Sequence, residues 1–244
     1  MTRHTNSKHA ELFTVQVKSI EALTPHMRRI TVTGPGAAAF LMTPGVEHPA
    51  AWVKVFLPTG EGRAYTLRRI DRQQAEIDLD FVLHGHGNAT GPLSSWAEQA
   101  RIGDEIGIAG PRSGEWALPE DARWVILAGD ATALPAMQAI AATLPNGIDV
   151  RAYVEIPSAA DRQPIEAPSG VLVNWIEEGA SPGLSLQHAV LNLSLPLGPG
   201  YVWIAGESTS VRALRLHLKK EHAIDRRRLS AMGYWKAGSA DHRE

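Results

Sequence analysis

Between about residues 112 and 122 the hydrophobic pattern of this chain changes period, and no single uniform architecture accommodates both halves. Before the break, apolar residues alternate with polar ones in short β-branched runs. After it, they come as continuous runs separated by stretches of helical spacing. Alternation marks strands with one buried face, whereas a short continuous apolar run marks a strand buried on both faces. The chain therefore reads as an antiparallel β unit followed by an open, mostly parallel α/β unit.

In the first half, strands are expected over 12–18, 29–33, 52–57, 63–69, 75–83 and 104–109, with a short helix over 94–99. Six short strands with Gly- and Pro-rich turns between them and almost no helix point to a small barrel or sandwich. In the second half, Trp124–Ala128 is the first buried strand and 133–144 its helix, with Met137, Ile140 and Leu144 along one side. Strands over 149–155, 171–175, 201–205 and 229–232 and helices over 184–191 and 208–221 complete the alternation. Ser208 reads as the start of the last helix, and Lys219 and Lys220 fall in its last turn. The expected division is a flexible lead-in at 1–11, a β unit at 12–116 and an α/β unit at 117–244.

Composition removes several classes of function. The 244 residues contain no cysteine, which excludes disulfides, thiolate metal sites, iron–sulfur clusters and a cysteine nucleophile together. Redox chemistry in such a chain has to be carried by a bound cofactor. A formal net charge of −2 gives no global signature for nucleic acid. No run approaches the roughly 18–20 apolar residues of a membrane span, and the polar first residues lack the apolar core of a signal peptide. These features suggest a cytoplasmic protein.

Several stretches carry chemistry. Arg63-Ala-Tyr-Thr-Leu-Arg68 puts two cations, a ring and a hydroxyl on six residues. In an extended chain 63, 65 and 67 share one face and 64, 66 and 68 the other. Taken alone, it fits a half-buried strand with snorkelling arginines as well as it fits the wall of a flavin site. A strand running out through His84 and Gly85 to Gly91, followed by a helix with Ser94 and Ser95, could seat a pyrophosphate on free amides. His84 and His86 lack further ligands nearby, so no metal is expected. Gly129-Asp-Ala-Thr132 lies between the first parallel strand and its helix, where such sheets take ligands, but there is no G-x-G-x-x-G fingerprint. Ala205-Gly-Glu207 forms a second such turn. Gly233-Tyr-Trp-Lys236 follows the last expected strand and reads as a hydrophobic plug or an aromatic lid.

In this fixed order, Arg63-x-Tyr-Thr-x-Arg68, the 80–96 run, Gly129-Asp-x-Thr-Ala-Leu-Pro135, Trp203-x-Ala-Gly-Glu207 and Gly-Tyr-Trp-Lys-x-Gly238 closely resemble the siderophore-interacting protein family. These are FAD-dependent ferric-siderophore reductases of the ferredoxin-reductase-like superfamily. The resemblance implies an antiparallel β-barrel FAD domain followed by a parallel-sheet NAD(P)H-binding-like domain. It places Arg63 on the cofactor phosphates, Tyr65 against the isoalloxazine and Thr66 near its redox-active edge, with Arg68 at the phosphate or adenine end. His84, Gly85, Gly91, Ser94 and Ser95 would wrap the flavin and its pyrophosphate. Asp130, Thr132 and Ala133 would border flavin and nicotinamide, and Trp235 would lie near the flavin face. Lys54, Arg112 and Lys236 match the basic residues that hold the anionic siderophore.

Two positions depart from the family pattern: Ala131 stands where Glu is usual, and Lys236 where Arg is common. The implied reaction runs from NADH or NADPH through FAD to chelated Fe(III), with a reduced ferredoxin as the alternative donor. Arg151 and Arg162 are the candidates for an NADPH 2′-phosphate. The competing readings are a reductase coupled to a ferredoxin or flavodoxin and a non-enzymatic flavin or siderophore carrier.

Overall fold

The computed structural model describes residues 11–83 and 91–238, and two sheets divide them. The first has seven strands: β1 (Leu12–Thr24), β2 (Met27–Thr33), β3 (Trp52–Phe56), β4 (Gly62–Thr66), β5 (Arg69–Asp71), β6 (Glu76–Val82) and β7 (Glu105–Arg112). Every pairing in it is antiparallel, in the order β4-β3-β7-β1-β2-β6-β5. Val15, Val17, Ile30, Val32, Val53, Val55, Ile77, Leu79, Phe81, Ile106 and Ile108 point inward and form one core. Helix α1 (Pro35–Leu41) closes that core with Phe40, and α2 (Pro92–Gln99) with Leu93 and Ala97.

The segment Arg63–Arg68 is not the single strand expected over 63–69. It ends β4 at one edge of the sheet and leads directly into β5, which begins at Arg69 at the opposite edge, so it spans the seam where the sheet curls shut. Its backbone partners change at that point: Leu67 N–H donates to Ala51 O, and Arg68 N–H to Asp78 O. Across the seam Tyr65 packs on Phe81, ring centroids 4.2 Å apart, and Phe81 on Trp96 of α2 at 5.6 Å.

The second sheet is wholly parallel, in the order β10-β9-β8-β11-β12. Its strands are β8 (Trp124–Asp130), β9 (Asp149–Ile156), β10 (Leu172–Glu177), β11 (Gly200–Glu207) and β12 (Leu229–Trp235). The buried run of β8 serves both faces, as its composition requires. Val125 and Leu127 join helix α3 (Leu134–Ala142) in one core, while Trp124, Ile126 and Ala128 join α4 (Leu184–Leu191) and α5 (Ser208–Lys220) in another. The strand order reverses between β8 and β11, which is the switch point of a doubly wound sheet.

Two expectations at strand ends need correction. Asp130, Gly206 and Glu207 belong to strands, not to the turns after them. The last strand does not stop at 232: Gly233–Trp235 continue it, with Gly233 paired to Gly206 and Trp235 to Glu207. Helix α5 starts at Ser208 as expected, and the Glu207 carboxylate before it accepts from Thr209 and Ser210 N–H. No helix is long and apolar enough to cross a membrane among the described residues.

Candidate flavin and chelate site

Pleating and register determine what each motif residue can reach. Cross-strand partners share a face. Thr66 pairs with Trp52 on β3, and Trp52 pairs with Arg112 on β7, so these three form one row on the outside of the barrel. The next row is Ala64, Lys54, Ala109 and Leu12, and the next Gly62, Phe56, Gly107 and Thr14. Small residues beside Lys54 and Phe56 leave a cleft of about 670 Å³, lined also by Pro58, Glu105 and Arg112. Both cations rest on rings: Lys54 Nζ lies 5.3 Å from the Phe56 centroid, and the Arg112 guanidinium 5.2 Å from that of Trp52. A Cβ on Gly62 would come within 2.7 Å of Lys54 Cε and the Phe56 ring, so glycine is what admits this stack.

Arg63 and Tyr65 face the other way, with Val55 and Val53. Burial pushes the Tyr65 phenol up, and Arg63 pulls it slightly back. The row Tyr65, Phe81, Trp96 leads from β4 to α2, whose first turn presents Leu93 and Ser94 beyond Gly91 and Pro92. Pro92 supplies no amide, and Ser95 N–H is bonded to Gly91 O. The far end of α2 is held by Arg28, which donates to Ala97 O and Glu98 O at 2.9 and 2.7 Å. His84 and Gly85 lie outside the described residues.

Arg68 leaves the motif for the second domain. Its Nε donates to Gln138 Oε1 at 2.8 Å, and Gln138 in turn donates to Pro164 O. Burial first, then Arg29, lowers its pKa. The structure thus makes Arg68 a tie between the barrel and α3.

Asp130 is the residue whose role the sequence least revealed. Its Oδ1 accepts from Thr132 N–H at 2.9 Å and Thr132 Oγ1–H at 2.5 Å. Its Oδ2 accepts from Glu207 N–H at 2.9 Å and Trp235 Nε1–H at 2.8 Å. One carboxylate therefore joins the ends of β8, β11 and β12. Burial raises its pKa against the pull of those donors. Ala133 is fully buried in the core beside α3, and its N–H is bonded to Asp130 O. Asp130 and Ala133 are both buried and tie the end of β8 to its neighbours. Trp235 is fixed by Asp130 and by Ser208 Oγ–H on its carbonyl. Of the two expectations, plug or lid, these bonds favour a ring latched in place.

Tyr234 was not singled out for a role of its own. Its hydroxyl is buried beside the hydroxyl of Thr66. Burial pushes this phenol up as well. Period-2 alternation past Gly233 was the signal that could have brought it to Thr66. Lys236 is exposed beyond β12. Arg151 is bound to Asp149 in the first half of β9, at the end of the sheet away from the ligand edge. No cluster of three or more His, Cys, Asp or Glu forms a metal site among the described residues.

The chain matches the family model for siderophore-interacting proteins over residues 122–238, and that for the siderophore-interacting FAD-binding domain over 16–64 and 60–115. It is 32% identical over 243 residues to the ferric vibriobactin reductase ViuB of Vibrio cholerae, covering 88% of this chain and 86% of that protein. This chain belongs to the siderophore-interacting protein family. Two solved family structures superpose along nearly the whole chain. A siderophore utilization protein from T. fusca gives a TM-score of 0.81 at 30% identity over 94% of both chains. The siderophore-interacting protein SipS of Aeromonas hydrophila gives 0.80 at 30% identity, over 94% of this chain and 93% of that one.

The residues present fit the FAD that the family model names. A half-buried ring, an adjoining hydroxyl, a buried phenol beside that hydroxyl and a helix N-terminus at the end of an aromatic row are what an extended dinucleotide with a planar head needs.

Proposed function

We propose that this protein is a FAD-dependent ferric-siderophore reductase that takes its electrons from NADH or NADPH. The observation that carries this reading is the row Thr66, Trp52, Arg112. It sets Thr66, the residue we assign to the flavin's reactive edge, two strands, roughly 10 Å, from a cation of the cleft. Lys54 lies in the adjoining row.

Bound FAD would supply the change from two-electron to one-electron chemistry, receiving a hydride and passing electrons singly to Fe(III). The chain's own part is positioning. Tyr65 and Thr66 hold the planar head at the seam, while Arg63 and the first turn of α2 take its phosphates. Lys54 and Arg112 balance the charge of an anionic chelate resting on the same barrel wall, and exposed Lys236 is a third cation for it. The cleft is open and shallow, which suits a bulky substrate that must approach without bonding to the protein. Hard oxygen donors hold Fe(III) more firmly than Fe(II), so reduction loosens the complex. We place this reaction in the cytoplasm, where nicotinamide donors are found.

The test is anaerobic turnover of the FAD-loaded protein with NADH or NADPH, a ferric siderophore and a ferrous-specific trap. Trapped Fe(II) that depends on protein and donor is the expected result. No trapped iron with either donor would overturn the assignment.

A further inference from the structure

The ligand edge of the parallel sheet is already filled from within. A doubly wound sheet receives a dinucleotide at the carboxyl ends of its strands, with the pyrophosphate on amides at helix N-termini beside the switch point. Here that point lies between β8 and β11, and the Asp130 carboxylate bridges it by accepting from Glu207 N–H at 2.9 Å. The approach is so close that a Cβ on Gly206 would lie 2.5 Å from Asp130 Oδ2.

Each helix that leaves this edge is closed in its own way. In the turn before α3, Thr132 N–H is bonded to Asp130 Oδ1 and Ala133 N–H to Asp130 O. Pro135 has no N–H, and Leu134 and Ala136 are fully buried. At α4, the Glu155 carboxylate from β9 accepts from Gly183 N–H at 2.6 Å and Leu186 N–H at 3.1 Å. At α5, Glu207 accepts from Thr209 and Ser210 N–H at 2.7 and 2.9 Å. Where a dinucleotide site offers amides to a phosphate, this edge has spent them on three buried carboxylates. Exposed Glu178 adds a fourth acidic group, and Asp130 acts on it through space. Arg162, exposed just past the 3₁₀ turn Ala159–Asp161, is a solvated surface cation beyond this acidic edge.

We infer that the protein accepts its electron donor through the dihydronicotinamide ring and has no seat for the dinucleotide phosphates. This rests on the donor reading given above. Phosphate-remote binding then contributes little, and NADH, NADPH and the mononucleotide NMNH are near-equivalent donors.

The test is the reductive half-reaction of FAD-loaded protein, followed anaerobically by loss of flavin absorbance with each of the three donors. Expected are kcat/KM values within about fivefold of one another. In parallel, 2′,5′-ADP and ADP-ribose, titrated by calorimetry, should show no binding tighter than about 1 mM. A preference above about a hundredfold for either dinucleotide over NMNH, or a Kd below about 0.1 mM for either fragment, overturns the inference and leaves the donor reading standing. If none of the three reduces a flavin that dithionite does reduce, the donor reading fails and this inference with it.

Discussion

Replacing Asp130 by Asn tests whether one carboxylate holds the three strand ends together. An asparagine keeps a single acceptor oxygen and puts an NH₂ in place of the other. Turned with its NH₂ towards Glu207 and Trp235, the amide faces two fixed donors, Glu207 N–H and Trp235 Nε1–H; turned towards Thr132 it faces one, Thr132 N–H, because the Thr132 hydroxyl can rotate and accept. The second orientation is the cheaper, and one buried donor left unsatisfied costs about 1–3 kcal/mol. Losing a charge from a site whose burial raises its pKa returns part of that, leaving a net loss of about 1–2 kcal/mol at neutral pH.

With a urea dependence of about 2 kcal/mol per molar, the unfolding midpoint of the parallel-sheet domain should fall by roughly 0.5–1 M, read by tryptophan fluorescence. The cycle with Trp235→Phe should show a coupling of about 1 kcal/mol or more. The pH dependence has a definite sign. A carboxyl whose folded pKa lies above its unfolded value binds protons more tightly when folded. Wild type should therefore gain stability relative to Asp130→Asn as pH falls from the raised folded value towards the ordinary 3.8. A variant within about 0.5 kcal/mol of wild type, with no coupling to Trp235, would refute the latch.

Four further outcomes follow from the geometry. Tyr65→Ala removes the ring proposed to back the flavin and should weaken FAD binding by about tenfold or more, measured by fluorescence titration. Lys54→Ala should leave FAD bound and raise the siderophore KM several-fold; release of FAD would show that Lys54 belongs to the wrong site. Gly62→Ala pushes a methyl into Lys54 and Phe56 and should reproduce the Lys54 effect in milder form. At the domain junction, His26 donates its N–H to Asp161 and pairs its Nδ1 with the same carboxylate, which also accepts from Ser158. Burial would raise the Asp161 pKa, but bonds from His26 and Ser158 outweigh it and the net shift is downward. The clasp is therefore complete above about pH 4 and lost as pH falls through the folded value. Asp161→Asn should cost about 1–2 kcal/mol at pH 7 by urea denaturation, with the difference from wild type fading in acid.

Much of this architecture is legible in the sequence, because it rests on local periodicity. The buried run of β8 and the alternation of β3 and β6 follow from residue pattern alone. What stayed hidden depends on partners distant in the chain. Arg63–Arg68 alternates like one strand, and only the change of backbone partner at Leu67 and Arg68 shows that it crosses a seam. Asp130 reads locally as a turn cap because its other ligands come from 207 and 235. Gly233 masked the end of β12, since a glycine there looks like a terminus until Gly206 is found opposite it. Lys54 and Arg112 could be proposed from resemblance, but their common cleft needed the register of β3 on β7.

The central claim is that electrons leave a flavin at the Tyr65–Thr66 seam for iron in a chelate held on the same wall. It is tested most directly without any nicotinamide. FAD-loaded protein is reduced anaerobically with light or dithionite, cleared of excess reductant, and mixed with a ferric siderophore in a stopped-flow instrument. The account predicts reoxidation of the flavin with about two Fe(II) trapped per FAD, slowed in Lys54→Ala when the chelate is limiting. A flavin that stays reduced, or one that reoxidises without releasing Fe(II), would contradict it.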